Sequence, residues 1–276
     1  MPKQRDIREK ALLSLFAHAA QKDDSSVDDS TWALTLEPEQ EKINKISYKA
    51  LNHQLSALEQ RAVEFGELTK VVAPMMKSYE LKSEARTTLA LAKSVDGFRS
   101  AFSVLDKRSE EDEYTKLYHT ASALNASLRE FKTILENASF TAPELPKLLK
   151  STKTLIDLTE RVDYIANPLN HKDQVSISAL VKATQDREDL REKADVYLKG
   201  TVENLEAIDA QLEEHLQNFS SDQIGRVERS LLRLAAYEIK VLELPKGIVI
   251  NESLELARKF TTEDAVPLLN GVLDKL

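Results

Sequence analysis

Cysteine is absent, which removes disulfides, thiolate metal sites, iron–sulfur ligation and cysteine nucleophiles together. Glycine is scarce: six in 276 residues cannot furnish the turns of an all-β fold and make a phosphate-cradling loop improbable. With only eight prolines as well, neither a collagen-like nor a loop-rich chain fits. No apolar run approaches the roughly 18 residues that a membrane span needs, and the first residues lack the apolar core of a signal peptide. The expectation is a soluble, cytoplasmic protein. Basic residues are outnumbered, 38 Lys+Arg against 46 Asp+Glu, for a net charge of −8. That balance argues against coating nucleic acid by bulk electrostatics, although it allows a local basic patch.

What the sequence does have is helical periodicity, with no convincing strand alternation, so the fold class is all-α. Its length allows one large domain or two ordinary ones. A first helix is expected from about Arg5 to Ala20, with Leu12, Leu15, Phe16 and Ala19 on one face. The polar run Lys22–Ser26 reads as a loop, and the stretch from Trp32 to Glu37 is ambiguous.

From about residue 40 to 166 the apolar spacing becomes 3-4, in four blocks. The first holds Leu51, Leu58 and Phe65, with Pro74 kinking or ending it; the second holds Leu91, Phe98 and Phe102. The third holds Leu117, Leu128 and Phe131; the fourth, entered through Pro143 and Pro146, holds Leu155, Leu158 and Val162. Each narrow seam needs a partner, and four in succession with short connections suggest an antiparallel helical bundle over 40–170. An external coiled-coil partner is the alternative. After a break at Asn167–His171, globular helices return. One is expected at 198–216, one at 227–239, one through Ile250 and Leu254, and a last one started by Thr261-Thr262-Glu263-Asp264.

Little here resembles catalysis. The five histidines (His18, His53, His119, His171, His215) are scattered, and there is no zincin motif, P-loop or nucleophile elbow. Acid pairs such as Glu213-Glu214 sit in charge-rich helical segments and read as solvated faces. No active site, cofactor or metal is expected. The informative oddity is at the start. Arg5 and Arg8 fall on the same side as Leu12, Leu15 and Phe16, whereas Lys3 and Lys10 point away. A helix inside a bundle should not aim two guanidiniums at its core. Either the helix overhangs and leaves both arginines free at its rim as phosphate contacts, or the terminus is frayed and they pair with acids of a neighbouring helix.

The C-terminal segment carries a more specific pattern. Val227-Glu228-Arg229-Ser230-Leu231-Leu232-Arg233-Leu234-Ala235-Ala236-Tyr237-Glu238 is followed by Pro245-Lys246-Gly247-Ile248-Val249-Ile250-Asn251-Glu252. Then come Glu255–Phe260, Glu263-Asp264 and Leu269–Asp274. In order and spacing these resemble the NusB family of bacterial transcription antitermination factors. Arg8–Phe16 is similar to that family's first helix, so the resemblance covers about residues 1–30 and 190–276.

The resemblance implies an all-helical RNA-binding domain made by both chain ends, 1–35 and 185–276, with residues 40–170 as an inserted bundle. It implies partners too: boxA-type single-stranded RNA, ribosomal protein NusE and, indirectly, RNA polymerase, in support of ribosomal RNA transcription. Arg5 and Arg8 match the family's arginine-rich first helix, with Lys3 a further RNA-binding candidate before them; Asp264 and Leu268 match its other RNA-proximal edge; Glu228 matches a position facing NusE. Three departures stand out. Gln4 and Asp6 thin the arginine run, Leu268 stands where an aromatic could stack on a base, and the insertion is large. They leave an alternative reading: a protein-interaction adaptor with weakened RNA binding that recruits an unknown partner through the insert. The family's short second helix is sought around Val175–Arg187.

Overall fold

The computed structural model describes residues 2–20, 29–105, 111–138, 140–216 and 224–276. Among these the regular elements are α-helices and two short 3-10 turns, with no strand. The helices are α1 (Gln4–Ala20), α2 (Asp29–Thr35), α3 (Glu37–Ser78), α4 (Lys82–Ser103), α5 (Glu111–Glu136), α6 (Leu145–Ala166), α7 (Ser178–Glu203), α8 (Leu205–His215), α9 (Arg226–Lys240), α10 (Lys246–Phe260) and α11 (Ala265–Leu273). Among the described residues no helix is long and apolar enough to cross a membrane. The chain divides into two compact units, residues 1–40 with 185–276, and residues 41–184.

The first unit is built around α9. Ser230, Leu231, Leu232 and the whole run Leu234–Glu238 are buried, so this helix is covered on nearly every side, as a central helix must be. Ile7, Leu12 and Leu15 of α1 share one apolar core with Leu231 and Leu234 of α9, Val249 and Leu256 of α10, and Leu269 and Leu273 of α11. Trp32, in the stretch whose pattern was ambiguous, is buried in the same core on α2. Residues 178–187, where the family's second helix was sought, are the opening turns of α7 and continuous with the rest of it. The polar run Lys22–Ser26 lies outside the described residues.

The second unit has an apolar core of its own. Its core joins Leu51, Leu58 and Phe65 of α3, Phe98 and Phe102 of α4, Leu128 and Phe131 of α5, and Leu155 and Val162 of α6. Phe65 and Phe131 meet edge to face at 6.2 Å, which holds α3 against α5. Contacts late in α5 fall early in α6: Glu136 pairs with Lys153 at 3.2 Å, while Asn125 donates to Thr159 at 2.8 Å. The two helices are therefore antiparallel. α3 does not end at Pro74. The proline sits in the last turn, with Val72, Ala73 and Met76 buried around it, and its missing N–H gives up one helical hydrogen bond. The stop comes at Glu80, whose φ of 62° lets Leu81 N–H reach the Met76 carbonyl and Glu80 N–H the Lys77 carbonyl.

Candidate nucleic-acid interface

The amino-terminal turns of α1 lie along α10. Arg5 donates from Nε and NH2 to the two carboxylate oxygens of Glu252, at 2.9 and 3.0 Å, with Glu255 4.0 Å from NH1. One turn on, Glu9 accepts from Lys259 at 2.5 Å. Residue numbers rise together along both helices, so α1 and α10 run parallel here. Arg258 in turn pairs with Glu255. The Arg5 side chain keeps 49% of its surface exposed. The fork–fork hydrogen bond holds the Arg5 guanidinium above its ordinary range and pulls the Glu252 carboxyl below its own.

Arg8 corrects one of the two readings left open. The guanidinium is not free at a rim. It is 5% exposed and donates to buried Glu238 at 2.6 Å. As the 100° spacing predicts, Arg8 lies on the apolar face of α1. What compensates the charge there is an acid from the middle of α9, and burial pushes the Glu238 carboxyl up although Arg8 pulls the other way. Being enclosed, Arg8 has no surface to offer a phosphate and leaves the set of candidate RNA contacts. Pairing with acids of neighbouring helices is the reading that holds for both arginines. Lys10, taken to point away from the core, is likewise buried. Its ammonium donates to the Thr35 carbonyl at 2.7 Å and to Glu39 at 2.8 Å, satisfying the end of α2. The sequence reading missed Glu238 and Glu39. Glu238 carries a signal: an acid between the apolar run Leu234–Tyr237 and Ile239 has little solvated face and needs a cation.

The remaining candidates are spread out. Lys3 is exposed and forms no ion pair among the described residues. Asp264 is exposed at the N-cap of α11, without a side-chain capping hydrogen bond, and the Thr261 hydroxyl instead donates back to Ala257 at the end of α10. Leu268 is half-buried and packs on the first unit's core. Glu252, the partner of Arg5, lies about 12 Å along α10 from Phe260, so Arg5 and the start of α11 occupy separate stretches of this edge. Glu228 is half-buried in the first turn of α9, where its carboxylate folds over Gly225; a Cβ there would stand 2.1 Å from Oε2.

Charge is divided unevenly between the units. Residues 1–40 and 185–276 carry 17 Lys+Arg and 27 Asp+Glu, a net of −10. Residues 41–184 carry 21 and 19, a net of +2, and the two account for the whole chain's −8. On the α1–α10 edge Arg5, Arg258 and Lys259 each have a carboxylate partner. Among the described residues no group of His, Asp or Glu side chains could hold a metal ion.

The model of the NusB family matches residues 149–276. The protein named transcription antitermination protein NusB of Campylobacter hominis is 39% identical over 100 residues, which cover 36% of this chain and 76% of that protein. The chain belongs to the NusB family. Proteins of the same name from Sulfurovum sp. and Nitratiruptor sp. are 49% identical over 77 residues and 43% over 86. These alignments cover 28% and 31% of this chain and span 59% and 62% of the two relatives. No solved structure matches. The family match takes in most of α6 and all of α7–α11 and leaves α1 outside, so α1 is tied to the family's helices by packing and ion pairs within the first unit.

Proposed function

We propose that this NusB-family protein is a transcription antitermination factor that binds boxA-type single-stranded RNA together with ribosomal protein NusE. Membership of a family whose relatives bear the name transcription antitermination protein carries the reading. The geometry supports it in one place: Arg5 sits half-exposed on the α1–α10 edge, near exposed Lys3, where a phosphate can reach it. Lys3 and Arg5 serve as backbone contacts, Asp264 and Leu268 line the α11 end of the same edge, and Glu228 faces NusE. Residues 1–35 and 185–276 form the RNA-binding domain, and the bundle over 40–170 is an insertion into it. The protein acts without catalysis, within the cytoplasmic transcription complex. Fluorescence anisotropy with a boxA-type RNA, with and without NusE, tests this. Binding should be tighter with both proteins than with either alone, and Arg5→Ala should lower the salt slope by about 0.7, the share of one phosphate on a single strand. Equal binding with and without NusE would sink it.

A second reading draws on the −10 net charge of the first unit and its self-paired cations. In this reading the NusB-like unit is mainly an adaptor, RNA contact is weak, and the inserted bundle recruits another protein. It predicts that NusE binds while RNA adds nothing.

A further inference from the structure

The second unit has its own cleft, of 570 Å³, between the first half of α3, the second half of α6 and residues 174–177. His53, Arg161 and Tyr164 are among the side chains lining it, and Arg161 donates to Gln54 across it at 3.4 Å. Along its rim runs one face of α3. At 100° per residue, Lys42, Lys45, Lys49 and His53 fall within an arc of about 80° and span about 16 Å of helix. All four are exposed. Among the described residues Lys42 and Lys49 form no ion pair, and Lys45 pairs only with Glu41, an exposed i,i+4 contact of little worth. This is the opposite of the α1–α10 edge, where the cations are tied to carboxylates. Two acids line the cleft: Glu160, already engaged by Arg129, and Asp157.

We propose that the Lys42–Lys45–Lys49 face and the adjoining cleft form a second binding surface for single-stranded RNA. The lysines follow the sugar–phosphate backbone, and an unstacked base enters the cleft. Three cations on one helix face supply sequence-independent attraction for a polyanion. The cleft adds what a bare lysine stripe lacks, a recess with an aromatic ring and polar edges: Arg161 and Gln54 can donate to a base, and Asp157 can accept from an exocyclic amine. An acidic peptide would satisfy the lysines but would leave the mixed polar lining of the cleft without use. The inference rests on the RNA-binding reading above and adds to it: the acidic NusB-like unit leaves part of its phosphate contact to the second unit.

The test uses the full chain and a fluorescein-labelled 20-nucleotide RNA carrying a boxA-type element. Lys42→Gln/Lys45→Gln/Lys49→Gln should weaken binding by about tenfold or more near physiological salt and lower the salt slope by about 2, since each phosphate contact contributes about 0.7. A charge-matched variant on the outer face of α4, Lys82→Gln/Arg86→Gln/Lys93→Gln, should leave both unchanged. These are exposed positions, and a helical spectrum with an unaltered melt shows that each variant is folded. Photocrosslinking with 4-thiouridine RNA should label peptides from residues 42–54 or 157–177. If both triple variants weaken binding equally, the effect is bulk charge and the surface is not a site. If the α3 variant binds as wild type while Arg5→Ala weakens binding, the second surface is wrong and the NusB-type reading survives. If wild type fails to bind the RNA with or without NusE, both fall.

Discussion

The two units solve the same problem, burying the apolar faces of antiparallel and crossing helices, with different materials. In residues 41–184 the buried polar side chains are hydroxyls, and Thr69, Thr88, Thr152 and Thr159 each donate to a carbonyl three or four residues back on their own helix. Few of these groups take a partner from another helix (Asn125 of α5 donates to Thr159 of α6, and Thr88 of α4 to the Met76 sulfur of α3), so apolar shape carries most of the packing. Among the described residues the first unit encloses three charged side chains, Arg8, Lys10 and Glu238. Each takes its partner from a different helix, which fixes how α1, α2 and α9 meet. A core of the first kind tolerates variation in shape poorly and has no electrostatic weakness. A core of the second kind fails when one member of a pair is lost.

The largest expected effects form a matched pair. Arg8→Met leaves Glu238 buried without its cation and should destabilise the first unit by about 3–5 kcal/mol, whereas Arg8→Met/Glu238→Leu should come close to wild type. The single tryptophan, Trp32, lies in that core, so its fluorescence in urea reports this unit directly. The Glu238 carboxyl is pushed above its ordinary 4.5 by burial, and losing Arg8 pushes it further. A raised carboxyl contributes most below its unfolded value and loses that contribution as pH rises through the folded one. The Arg8→Met penalty should therefore be smaller near pH 4 than at pH 7. In the second unit Phe131→Ala removes a fully buried ring in contact with Phe65 and should cost about 3–5 kcal/mol. That loss should appear in far-UV circular dichroism with the Trp32 transition unmoved. A common shift of both probes would mean that the two cores unfold as one, and the contrast between them would lose its thermodynamic meaning.

A smaller effect concerns a close approach inside the first unit. A Cβ on Gly200 of α7 would stand 2.0 Å from the Tyr237 hydroxyl and 2.2 Å from the ring carbon bearing it. Tyr237 is itself 5% exposed and cannot swing away freely. Gly200→Ala should destabilise by about 1–3 kcal/mol through overpacking, even though alanine favours the helix more than glycine. Adding Tyr237→Phe removes the nearest atom and should recover part of the loss in the Trp32-monitored melt. If Gly200→Ala alone stabilises the protein, the ring does not lie over this position.

What could be read from the sequence tracks this contrast. The four heptad seams were legible because Leu51, Phe98, Phe131 and Val162 lie in a core in which apolar spacing is nearly the whole specification. The all-helical class followed from the same periodicity. The NusB motifs were legible because α9 and α10 combine core leucines with local turns at fixed spacing. The fate of the α1 cations was not legible. A charge reads as surface until its partner is known, and Glu238 lies 230 residues from Arg8. Trp32 was ambiguous because α2 spans seven residues, too few to display a period. Of the two outcomes expected at Pro74, a kink or an end, the end comes one turn later, at Ser78.

The smallest predicted effect is also the sharpest probe of the candidate RNA edge. Two arginines one turn apart on α1 hold two glutamates whose acid behaviour differs in sign. Burial raises the Glu238 carboxyl, whereas the hydrogen bond from Arg5 lowers that of Glu252. A depressed carboxyl contributes stability above its ordinary value and loses it as pH falls through the folded value. Acidification should therefore release the Arg5–Glu252 clasp while favouring the enclosed Glu238. Arg5→Ala should move the Glu252 carboxyl back up towards 4.5, visible as a later midpoint in a side-chain NMR titration. Its effect on the melt should be slight at neutral pH and smaller still at high salt, because the pair is open to water. If the Glu252 midpoint does not move in Arg5→Ala, the clasp does not persist in solution, and Arg5 meets RNA as a free guanidinium with no carboxylate to displace.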